Sequence, residues 1–157
     1  RLQLLRGALW ERQADLATSA GEFARLVGLA RDEIESSRAS LHTGDDDLEL
    51  AQTDARLAAA TARLAAADRD QAGFARADSL LHRAQSVLTG DHFPLQFAEF
   101  SLRQGQVARL RWESFGDAAD SSEAAGAFTR AARAVPAVEW PSLHRRVAAE
   151  VRSLRGR

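Results

Sequence analysis

Ala30, Ala77 and Ala124 stand 47 residues apart, and the same interval joins Ile34 to Leu81 and Phe128, and Ser37 to Ala84 and Ala131. A chain that returns to matching residue types at one fixed interval reads as a single structural unit written three times. Stacked units of this kind build extended binding surfaces more often than active sites, so the echo constrains function before any single residue does.

Composition supports a stack of thin helices. The 157 residues suit one domain. The hydrophobic share is 45%, but aromatics make up only 6% and alanine supplies much of the rest. Helices built this way pack closely on small side chains rather than around a bulky core. With 21 basic and 22 acidic residues the net charge is −1, which removes the positive field that nucleic acid or anionic lipid would need. Neither partner is expected. All basic residues other than histidine are arginine, and lysine, asparagine, tyrosine, cysteine and methionine are absent, a bias that reads as GC-rich coding. Without cysteine there is no disulfide framework, thiolate nucleophile or zinc–thiolate site. No apolar run approaches the ~20 residues that span a bilayer, and Arg1-Leu2-Gln3-Leu4-Leu5 lacks the stretch of a signal peptide. Cytoplasm is the default compartment. The opening Arg1 suggests a piece of a longer protein.

Alanine, leucine, arginine, glutamate and glutamine dominate most segments, and these residues lose least on entering a helix. From Leu48 to Ala66 the positions Leu48, Ala51, Ala55, Ala58, Ala62 and Ala65 gather on one helical face. A break over 68–73 predicts a second helix from Phe74 to Leu88, its core face Ala77, Leu80, Leu81, Ala84 and Leu88. Thr89-Gly90-Asp91-His92-Phe93-Pro94 then separates the units, with glycine to stop one helix and proline to open the next. The following pair is expected over Leu95–Trp112 and from a cap at Asp120 or Ser121, supported by Glu123, to Ala134. Pro94 and Pro141 are again 47 apart. Run backwards, the register predicts helices near Leu2–Thr18 and Glu22–Leu41, with Thr43-Gly44-Asp45 answering Thr89-Gly90-Asp91 one residue short of the interval. Ser142 to Leu154 forms a last, seventh helix that would cover the end of the stack.

The run Ala124, Phe128, Ala131, Pro136 resembles the second-helix half of a tetratricopeptide repeat, and Gly105 stands where that family keeps a glycine for helix contact. Phe93-Pro94-Leu95-Gln96-Phe97-Ala98 is similar to the joint of its long-repeat bacterial members. The second unit retains Ala77, Leu81 and Ala84 but has Thr89 in place of proline; the first retains Ala30 and Ile34. Opposite Gly105 stand Ala58 and Glu11, and Glu11 fits poorly at a close helix contact. The interval is longer than the family's usual ~34 and reaches the range of HEAT and armadillo units. The resemblance implies an all-α fold: a right-handed solenoid of antiparallel helical hairpins, about seven helices, in one domain. Its units would cover about 1–47, 48–94 and 95–141, with a capping helix over 142–157.

Asp45-Asp46-Asp47 with Glu49 lacks the glycine and glutamate placement of a calcium loop and reads as an acidic helix start. His42, His82, His92 and His144 show no i, i+4 pair that would set two imidazoles on one metal, and His92 beside Asp91 reads as a turn residue. Gly105 and Gly116 stand outside any phosphate-loop pattern, and Ser121 and Ser122 follow no strand that would make a nucleophile elbow. Trp10, Trp112 and Trp140 read as packing residues first. No enzyme activity, cofactor or metal is expected.

In the tetratricopeptide arrangement, first helices line the concave side and hold an extended or helical peptide. Carried from Gly105, the inward positions are Glu99, Leu102, Gln106 and Arg109 in the third unit, and Gln52, Ala55, Ala59 and Ala62 one interval earlier. Arg146, Ala149 and Ser153 follow one interval later, and the first unit supplies Leu5, Ala8 and Arg12. This face is mixed in charge and partly alanine-lined. The resulting expectation is a scaffold or peptide-binding module, an adaptor part of a larger bacterial protein, with Arg12, Gln52, Glu99, Leu102, Gln106, Arg109 and Arg146 as its partner-binding residues. Two alternatives stand beside it. One is self-assembly into a homo-oligomer through alanine-rich helices such as Ala58–Ala67, and the other a non-catalytic accessory domain of an enzyme.

Overall fold

In the computed structural model, which describes residues 2–42, 44 and 46–155, the chain is all-helical. Seven helices are seen among the described residues: α1 (Leu2–Ala14), α2 (Ala20–Ala39), α3 (Asp47–Asp68), α4 (Gln71–Gln85), α5 (Pro94–Phe115), α6 (Ala118–Ala134) and α7 (Pro141–Arg155). None is long and apolar enough to cross a membrane. Thr43 and Asp45 of the expected turn, with the terminal Arg1, Gly156 and Arg157, lie outside the described residues.

Cross-helix contacts fix the pairing. Between α1 and α2, Gln3 reaches Ser36 (2.9 Å) and Arg6 faces Glu33, so one residue number rises as the other falls. The same reversal holds between α3 and α4, where Asp54 meets Arg83 and Ala65 meets Gly73. Between α5 and α6, Gln104 meets Arg130 and Arg111 meets Asp120. Three antiparallel hairpins result. α3 also packs on α2 and α5, and α7 packs on α5 and α6.

Small residues let the hairpins close. All nine echo positions are buried: Ala30, Ala77, Ala124, Ile34, Leu81, Phe128, Ser37, Ala84 and Ala131. At the α5–α6 contact, Gly105 lies so close to Phe128 that a methyl group there would stand 2.6 Å from Cδ1 and 3.0 Å from Cζ. In the first hairpin the equivalent close approach is made by Gly7, against Ile34, one helical turn before Glu11. Glu11 therefore avoids the tight contact that its aligned position implied.

Two apolar clusters hold the helices together, one centred on α2, α3 and α4 with Val27, Ile34, Phe74 and Leu88, the other on α5, α6 and α7 with Leu102, Phe128, Leu143 and Val147. Within the alanine-rich stretch Ala58–Ala67, Ala58, Ala60, Ala62 and Ala65 are buried against the chain's own helices, whereas Ala66 is half-buried and Ala67 exposed. A buried carboxylate ties three helices together. Asp54 on α3, its side chain 3% exposed, pairs with Arg38 of α2 and Arg83 of α4.

Helix ends explain where the expected boundaries shift. α3 stops at Arg69 and α5 at Gly116, each left-handed (φ 52° and 80°) with its N–H bonded back into the helix. Asp70 and Asp117 follow at once, and their carboxylates accept from the N–H of Ala72 and Ala119. The cap of α6 is thus Asp117, not Asp120 or Ser121, because the left-handed turn leaves the very next residue extended and free to cap. α4 starts three residues before Phe74 for the same reason. α1 ends before Thr18 because Ser19, extended, accepts from Glu22 N–H while the Glu22 carboxylate reaches back to Thr18 N–H. Pro94 and Pro141 open α5 and α7. Asp46 and Asp47 accept from the backbone N–H of His42 and Gly44, and so close the turn before α3.

Candidate functional site

The first helices of the hairpins and α7 line an open groove of about 660 Å³, a size typical of ligand sites. α1 contributes Glu11 and Asp15, and α2 contributes Phe23. α3 contributes Ala59, Arg63, Ala66 and Ala67; α5 contributes Arg103, Gln106, Val107, Arg109 and Leu110; α7 contributes Arg146 and Glu150. The small side chains of α3 leave the space, and the longer polar chains of α5 and α7 reach into it. A smaller cavity of about 250 Å³ lies between α3 and α5, lined in part by Gln52, Ala55, Arg56, Glu99, Phe100 and Arg103.

Charges in the groove are largely matched across helices. Arg56 reaches Glu11 at 3.2 Å and Arg63 reaches Asp15 at 2.6 Å, so α3 is tied to α1 at two successive levels. The Arg63 guanidinium also sits 4.9 Å over the Phe23 ring, a cation–π geometry. Gln106 donates to Glu150 (2.7 Å), and Arg109 lies 3.3 Å from Glu150 and bonds Glu113 at 2.9 Å.

Arg103 and Arg146 are the exceptions, since among the described residues neither guanidinium makes a hydrogen bond or ion pair. Arg103 borders both cavities. Burial pulls its pKa below the usual arginine value, and the neighbouring charges oppose one another: Glu11 and Glu99 favour its cation, Arg56 and Arg146 disfavour it.

The structure distributes the expected site residues unevenly. Gln106, Arg109 and Arg146 meet in the larger groove, and Gln52 and Glu99 line the smaller cavity. Arg12 is exposed on α1 and borders neither. Leu102, by contrast, lines neither cavity. It is wholly buried in the second cluster, because it lies three residues from Gly105 on the face turned to α6. Its neighbour Arg103, about 100° further round the helix, takes the inward place. Residues not anticipated are Glu11, Asp15, Arg56, Arg63, Arg103 and Glu150. A signal for three of them was present, since Arg56, Arg103 and Glu150 are themselves 47 apart.

Elsewhere, Arg111 of α5 gathers Asp78 of α4 with Asp120 and Glu123 of α6. Burial raises the Asp78 pKa above the ordinary 3.8, Arg111 lowers it, and Glu123 and Asp120 raise it again. His92 bonds the Thr89 hydroxyl (3.2 Å). Trp10 packs on the first cluster, whereas Trp140 is 41% exposed. No family model, curated protein or solved structure matches the chain.

Proposed function

We propose that the chain is a tetratricopeptide-like solenoid whose first-helix groove binds a protein or peptide, acting as a scaffold or adaptor within a larger bacterial protein. The repeat reading is supported by helix starts at Asp47, Pro94 and Pro141, and by the paired stops Arg69 and Gly116 with caps Asp70 and Asp117, all at one interval of 47. The groove itself carries the functional reading: about 660 Å³, open, walled by α1, α3, α5 and α7, with apolar floor residues between charged ones. Such a surface suits recognition through a few anchored side chains surrounded by directed hydrogen bonds. This reading assigns the chain no catalysis of its own.

Substituting Arg109 and Arg146 together by alanine tests it. Capture of a bound partner should weaken while the far-ultraviolet helical signal stays unchanged. Unaltered capture by the doubly substituted protein would remove the groove from consideration.

A further inference from the structure

Each first helix has one small residue where it crosses its own hairpin partner: Gly7 in α1, against Ile34; Gly105 in α5, against Phe128; and in α3 the buried Ala58, one interval before Gly105. Residues two places before and after that crossing lie about 200° round the helix, on its far side. In α3 these are Arg56 and Ala60, and in α5 Arg103 and Val107. That side joins the preceding hairpin: Arg56 reaches Glu11 of α1 at 3.2 Å, and Val107, 1% exposed, is buried in the cluster centred on α2, α3 and α4.

In α1 the same two places hold Leu5 and Leu9, 70% and 53% exposed, and Leu16, in the turn beyond the helix, is 78% exposed. A charged position repeats the pattern. Arg63, five residues past the crossing in α3, reaches Asp15 of the preceding hairpin at 2.6 Å. Its equivalent in α1 is Arg12, exposed and without an ion pair among the described residues. α7 presents no such apolar face: one interval past Ala98, Leu102 and Gly105 stand Arg145, Ala149 and Arg152, all exposed. A polar outer face of that kind needs no cover.

We infer that the leucine face of α1 seats a further helical hairpin of the same polypeptide, with apolar side chains over Leu5 and Leu9 and a carboxylate for Arg12. The inference rests on the stacked-hairpin reading and is independent of the groove. A second copy of the chain is the other occupant such a face could take, but three leucines fall far short of the ~800 Å² that each partner of a stable dimer buries. A hairpin tethered through the backbone needs no such area, because its short connection keeps it at high effective concentration.

The test compares two chains, the 157 residues and the same residues extended by one interval of 47 ahead of Arg1, as the gene encodes them. Amide hydrogen exchange across α1 should be at least about tenfold slower in the extended chain, and Leu5→Gln with Leu9→Gln should abolish that slowing. In the 157-residue chain the same pair of substitutions should move the melting temperature by no more than about 2 °C, because both side chains are already exposed. Equal exchange rates in the two chains, or an upstream sequence that forms no helix pair, would overturn the inference and leave the three hairpins as they stand. Dimerisation of the 157-residue chain in concentration-dependent light scattering, abolished by the double substitution, would give the face to a second copy and overturn it too. Amides of α3 and α5 exchanging as fast as those of α1 in both chains would overturn the stacked reading itself, and the inference with it.

Discussion

Replacing Gly105 with alanine should destabilise the protein even though alanine is the better helix former. The added methyl would stand 2.6 Å from Phe128 Cδ1 and 3.0 Å from Cζ, where carbon atoms ordinarily rest at about 3.5–4.0 Å. Phe128 has no exposed surface, so the ring has nowhere to swing and α5 must draw away from α6 by up to about an ångström. Overpacking at contacts this short falls in the upper part of the roughly 1–3 kcal/mol range, about 2–3 kcal/mol, and the alanine helix preference offsets about 1 kcal/mol, leaving a loss of about 1–2 kcal/mol. For a chain of this size each kcal/mol moves the midpoint by about 2–4 °C, so the expected fall is about 2–8 °C by calorimetry. A partner substitution sharpens the test. Phe128→Leu in the Gly105→Ala background places at this crossing the residue types that stand one interval earlier, the buried Ala58 and Leu81, and should recover at least about half of the loss, a coupling measurable by a double-mutant cycle. A neutral or stabilising Gly105→Ala, or additive effects of the two changes, would show that the helices do not meet at this point.

Asp54→Asn should lower stability by about 2 kcal/mol in urea unfolding, because it leaves Arg38 and Arg83 facing each other across α3 without their shared carboxylate. Arg69→Gly should raise stability by about 0.5 kcal/mol by relieving a left-handed side-chain residue, and Gly116→Ala should lower it by about 1 kcal/mol, both read from thermal melts. Phe128→Asp should lose several kcal/mol, since a buried charge without a partner replaces a core ring; an unchanged melting temperature would place residue 128 outside the core. The raised Asp78 pKa means that the folded chain holds this proton more tightly than the unfolded one, so stability attributable to Asp78 falls as pH rises from 3.8 through its folded pKa. Asp78→Asn should flatten that part of the pH–stability curve, measured by denaturation between pH 3 and 6.

The alanine echo was enough to locate the buried face of α2, α4 and α6, because a small residue at a helix crossing is demanded by distance alone. Boundaries were less legible. Asp117 and Asp70 cap their helices only because Gly116 and Arg69 turn left-handed just before them, and arginine gives no hint of that conformation. Of the positions that the resemblance implied, Gln106, Arg109 and Arg146 line the groove, whereas Leu102 lies in the core and its neighbour Arg103 lines the groove in its place. Hydrophobicity could have separated the two, since leucine three residues before a helix-contact glycine belongs inside. The pairings of Glu11 and Asp15 with α3 depend on how far α1 slides along its neighbour. That slide is set by Gly7 meeting Ile34, a contact one turn away from the aligned position.

The most direct measurement is the set of backbone amide shifts of the isotopically labelled protein on titration with a peptide selected for binding to the whole chain from a random display library. Shifts should concentrate at Ala59, Arg63, Arg103, Gln106, Arg109 and Arg146, the groove-facing positions of α3, α5 and α7. Shifts confined to α4 and α6, around Asp78, Asp120 and Glu123, would place the partner elsewhere and contradict the groove.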